Sequence, residues 1–124
     1  MSDDATVAAL MRRVLEARRQ WIDVGAGAAL QIQRPAEAEM VGGLRPEAIA
    51  ATVVGWRGVT LAHVLGAAAT DAECSQAAPF APELAAEVMR DNATWLMRVA
   101  EALTDAIQQH AAAREAVAGN SGTS

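Results

Sequence analysis

A chain of 124 residues has room for one domain, in which roughly two-thirds of the unfolded surface becomes buried. A net charge of −5 argues against general nucleic-acid affinity, which rests on neutralising phosphates, and the single Cys74 leaves no intramolecular disulfide and suits a reducing compartment. About a quarter of the residues are alanine, so the apolar fraction of 52% overstates the buried area, and the expectation is a helical domain of modest stability that gains from self-association.

In chain order, Ser2 is a suitable N-cap, and Asp3 and Asp4 in the first turn suit the helix dipole. Val7, Leu10, Met11, Val14 and Leu15 then form one apolar stripe at helical spacing, with Arg12, Arg13, Glu16, Arg18 and Arg19 on the remaining faces, which read as solvated. Acidic residues stand where a secretory signal carries positive charge, and no apolar run approaches membrane-spanning length, so a soluble cytoplasmic protein is expected. From Trp21 the period changes to alternation. Ile22 and Val24 share a face, as do Leu30 and Ile32, and Gly25-Ala26-Gly27 supplies the turn of a short β-hairpin over about residues 21–33. The same glycines lack the third glycine of a dinucleotide motif and the Lys-Ser/Thr of a P-loop.

Pro35, Glu37 and Glu39 read as a helix first turn that Gly42-Gly43 interrupts, and Pro46-Glu47 opens a second helix lined by Ile49, Val53 and Trp56. The β-branched Thr52-Val53-Val54 run also suits an extended strand. Gly58 to Leu65 holds one helical turn with Leu61, Val64 and Leu65 inward, and Gly66 to Ala78, without a period, reads as a mobile loop. Pro82 begins a helix with Leu84, Ala85, Val88 and Met89 on one face. Asp91 or Asn92 caps the last helix, where Trp95, Val99, Leu103 and Ile107 recur every four residues. Gly119-Asn120 reads as its stop. The expected fold is mainly α: one small helical domain over residues 1–118, a short hairpin between the first and later helices, and a disordered tail at 119–124.

Tyrosine is absent and phenylalanine occurs once, so three tryptophans carry nearly all the aromatic area, each worth on the order of 200 Å² when buried. Trp56, in the Gly-Trp-Arg-Gly turn, and Phe80, between Pro79 and Pro82, are expected to pin the two ends of one loop against the helices, with Trp95 as a third anchor. Chemistry is harder to find. His63, Cys74 and Asp71 form a triad only on paper, because a triad is defined by geometry. His63 and His110 have no cysteine pair with which to hold a metal, and the carboxylates at helix starts are explained by the dipole, so neither an enzyme nor a cofactor is expected. Met89 and Met97 are candidates for an adaptable protein interface.

Four segments in order carry a family resemblance. Arg34-Pro35-Ala36-Glu37-Ala38-Glu39 resembles the R-P-T-E-A-E segment that follows a short hairpin in small proteins of long-tailed phage and prophage tail gene clusters. Val53-Val54-Gly55-Trp56-Arg57-Gly58-Val59-Thr60 is similar to their V-V-G-W-x-G-V-T, and Pro79-Phe80-Ala81-Pro82-Glu83-Leu84 to their P-F-x-P-E-L, with Trp95 leading a similar final helix. Gly42-Gly43 and Pro46 interrupt what is usually a continuous helix there, and Arg57 stands where an acidic residue is frequent. The family is placed with the tail assembly chaperones. The resemblance implies a non-enzymatic helper whose partners are the tape-measure protein, which it holds soluble, and the tail-tube protein, to which it presents that client. Arg57 joins Met89 and Met97 as candidate interface residues on this reading. The alternatives are a structural tail or head–tail connector component, or a DNA-binding regulator using the arginine-rich first helix.

Overall fold

A computed structural model describes the backbone of residues 2–122 and the side chains of residues 3–119. In chain order the elements are α1 (Ser2–Ala17), β1 (Arg19–Gly25), β2 (Ala28–Gln33), a 3-10 turn (Glu37–Met40), α2 (Pro46–Ala51), β3 (Val53–Arg57), α3 (Leu61–Leu65), a second 3-10 turn (Gly66–Ala68), α4 (Pro82–Arg90) and α5 (Ala93–Gly122). The fold is mainly helical, as expected, with a small sheet after the first helix.

The hairpin forms where the alternation places it. β1 and β2 are antiparallel with Ile22 opposite Leu30, and Gly25, Ala26 and Gly27 turn the chain at φ values of 89°, 54° and 78°. The Asp23 carboxylate accepts the Gly25 N–H at 2.9 Å and steadies the turn. Ala28, Leu30 and Ile32 point inward and are at most 1% exposed, while Ala29, Gln31 and Gln33 form the opposite, partly open face.

The sheet has a third strand. Val53–Arg57 does not continue a helix from Pro46, so Ile49, Val53 and Trp56 do not share a helical face. The cause is local. The Thr52 hydroxyl donates to the Ile49 carbonyl at 2.7 Å, closing α2, while the Thr52 carbonyl accepts the Gln33 N–H at 2.9 Å and leads the chain onto the open edge of β2. Val53 and Val54 have the branched side chains that suit an extended strand. The resulting order is β1-β2-β3, all antiparallel, with Leu30 opposite Trp56 and Gln31 opposite Gly55.

The core lies between the inner face of this sheet and the helices α2, α4 and α5. α4 contributes Ala85, Val88 and Met89, and α5 contributes Trp95, Val99 and Leu103, each 6% exposed or less. Asn92 caps α5, its side-chain oxygen accepting the Trp95 N–H at 3.2 Å. The stretch from Gly66 to Ala78 differs from the loop expected of it, because its end is tied back: the Ala78 N–H donates to the Val59 carbonyl and the Leu61 N–H to the Gln76 carbonyl, both at 2.8 Å. Ala78 is small enough to be buried there at 7% exposure. The segment after Pro35 closes as a 3-10 turn, with the Glu39 carboxylate accepting the Ala36 N–H at 3.0 Å. α5 runs through the expected stop at Gly119 and Asn120 to Gly122, as the alanine-rich sequence before them favours helix. The last two residues of the expected tail, 123 and 124, lie outside the described residues.

Candidate protein-binding site

The first helix is the exception to this packing. Every side chain from Asp3 to Ala17 is exposed, including the whole apolar stripe: Val7 at 59%, Leu10 at 50%, Met11 at 53%, Val14 at 42% and Leu15 at 37%. Isolated exposed apolar residues are ordinary, but five on one face of one helix make a contiguous patch of the kind that marks a protein interface. The stripe runs the length of a helix of 16 residues, about 24 Å.

Where α1 ends, the chain builds a cluster of arginines. The Arg18 backbone N–H donates to the Leu15 carbonyl at 3.2 Å, and the Arg34 backbone N–H to the Arg18 carbonyl at 2.9 Å, so the backbones of both arginines are fixed at the foot of the helix. Burial, and secondarily the charge of Arg18, press the Arg34 guanidinium below its usual pKa, with Glu37 opposing. Arg34 donates to the Pro35 carbonyl at 2.9 Å, whereas the buried Nε of Arg18 has no hydrogen-bond acceptor among the described residues. Glu37 is held in turn by Arg114 at 2.9 Å, with Nε2 of His110 at 3.5 Å. Arg18, Arg19, Arg34, Gln109 and His110 border a shallow cleft of about 350 Å³.

The interface candidates drawn from sequence separate sharply. Met89 is 1% exposed and belongs to the core, which corrects its assignment to a partner surface; it falls on the inner face of α4 with Ala85 and Val88. Met97, on the outer side of α5, is 63% exposed, and Arg57 is exposed with its guanidinium 4.4 Å from the centre of the Trp21 ring. The anchors also differ among themselves. Trp95 is buried at 5% exposure beside the His63 ring. Trp56 is half-buried, donates its indole N–H to the Ala78 carbonyl at 3.0 Å, and meets the edge of Phe80 at a centroid distance of 5.3 Å, so the two aromatics do hold the ends of the intervening loop.

The paper triad does not assemble into a prepared nucleophile. His63 is committed to its own helix start: its Nδ1 accepts the Thr60 N–H at 2.9 Å and lies 3.1 Å from the Thr60 hydroxyl. It lines an open cleft of about 460 Å³ with residues of α4, and neither Asp71 nor Cys74, both exposed, borders that cleft. Among the described residues no group of three or more His, Cys, Asp and Glu side chains is placed to hold a metal ion, and no helix is long and apolar enough to cross a membrane. The stripe of α1 was legible as a stripe; that no described residue covers it was not.

Compared with known protein families, characterised proteins and solved structures, the chain matches none.

Proposed function

We propose that this protein is a non-enzymatic tail assembly chaperone that keeps a long helical tape-measure protein soluble and brings it to tail-tube subunits. The observation that carries the reading is the amphipathic helix α1, displayed with its apolar stripe uncovered beside a body that has its own buried core. A helical client presents apolar residues at the same spacing, and a helix laid along α1 would exclude water from both stripes. The remaining α1 side chains are mostly charged or alanine, which suits a reversible hold better than a permanent seam. Met97 and Arg57 lie on other exposed surfaces of the body and are available for weaker, additional contacts.

Co-expression with the long helical protein encoded immediately downstream tests the proposal, read by pull-down and size-exclusion chromatography. The expected result is a soluble client that elutes with this protein and returns to the insoluble fraction when Leu10 and Val14 are both replaced by Asp. A client that stays insoluble, while this protein is found in purified tails, would put a structural tail component in place of a chaperone.

A further inference from the structure

The seam along α1 continues beyond its apolar residues. At helical spacing, Asp4, Val7, Met11, Val14 and Arg18 fall on one line, an acid at one end and a base at the other. Pairing two copies of the helix in parallel would set Asp4 against Asp4 and Arg18 against Arg18. Antiparallel pairing instead sets each Asp4 against the other copy's Arg18, with Val7 over Val14 and Leu10 and Met11 at the centre. From this we infer that, before a client is engaged, α1 is covered by α1 of a second copy in an antiparallel, two-fold symmetric pair. The inference rests on reading α1 as a docking helix but not on the identity of the client.

Two further observations bear on it. The arginine end of the seam lacks balancing charge: Arg18 and Arg34 sit together, and the nearby acid Glu37 is already held by Arg114. A carboxylate arriving from a second copy supplies what this end lacks. The area is also informative. The exposed parts of the five stripe residues amount to roughly 400 Å² per helix, about half of the 800 Å² that each partner of a stable complex buries. An area this small belongs with weak, transient contacts, which open readily, as exchange for a client helix requires.

The test is the mass of the purified full chain by light scattering after size exclusion, across about 1 to 300 µM, a span that brackets micromolar dissociation. Mass should rise from 12.9 kDa towards twice that value. Met11→Asp, at the centre of the pair, should hold the protein at monomer mass throughout while leaving its melting temperature unchanged at concentrations where the parent is monomeric, since α1 lies outside the core. Asp4→Arg alone and Arg18→Asp alone should each weaken the pair about tenfold at low salt, and an equimolar mixture of the two should restore it, because both ends then again join opposite charges. If Arg18→Asp fails to fold, the Asp4→Arg protein still decides: a parallel pair is indifferent to that change. A monomer at every concentration overturns the inference, as does a dimer that survives Met11→Asp. A dimer that behaves as described but never captures the downstream protein leaves the pairing standing and removes the chaperone.

Discussion

α1 and the first half of α5 have the same kind of sequence and opposite fates. Each repeats large apolar residues at helical spacing, yet Trp95, Val99 and Leu103 are at most 5% exposed and the α1 stripe is nowhere less than 37% exposed. The difference lies in what the chain brings to each helix. α5 follows α4 after a short connection capped by Asn92 and lies against a sheet face prepared by Leu30 and Ile32. α1 leads into β1, and its stripe meets no such prepared face. Periodicity states that a face is to be covered; it does not state by what.

Substitutions in the two regions should therefore separate cleanly in urea unfolding. Leu30→Ala, removing a fully buried side chain from the central strand, should cost about 3–4 kcal/mol. A loss below about 1 kcal/mol would mean that the sheet face is not the floor of the core. Trp56→Ala should cost less, about 2–3 kcal/mol, since the ring is half-buried but its removal also leaves the Ala78 carbonyl without its donor and Phe80 without its neighbour. Leu10→Ala should be the smallest, within about 0.5 kcal/mol of the parent when measured at low micromolar concentration. A cost near that of Leu30→Ala would place α1 against the body in solution and erase the contrast.

Much of this architecture was legible in the residues. The hairpin, the inner face of α4, the four-residue repeat of α5 and its asparagine cap all follow from local patterns that agree with their surroundings. What was not legible depended on distant partners. Val53 and Val54 favour a strand locally, but the helical spacing of Ile49, Val53 and Trp56 competes until β2 offers an edge to pair with. Gly58 reads as a turn glycine and has φ of 69°, but a second constraint comes from elsewhere: a Cβ there would stand 2.1 Å from the Gly27 carbonyl oxygen, in the turn of the hairpin. Met89 has the side-chain type common at adaptable interfaces, yet its place on the Ala85 and Val88 face of α4 puts it in the core. The candidate site was the least legible part, since exposure of a stripe is a property of the whole fold.

The order of the strands has a consequence for how this chain is made. β1, β2 and β3 follow one another as strands in sequence as well as in space, so every residue of the sheet is available once residue 57 has left the ribosome. Trp95, Val99 and Leu103 emerge only later. At synthesis rates of roughly 5–20 residues per second, the three strands precede these α5 residues by seconds, many times longer than a hairpin needs to form. The first helix and the sheet both leave the ribosome before α4 and α5, and among the described residues only the apolar face of the sheet is later covered by the chain's own sequence.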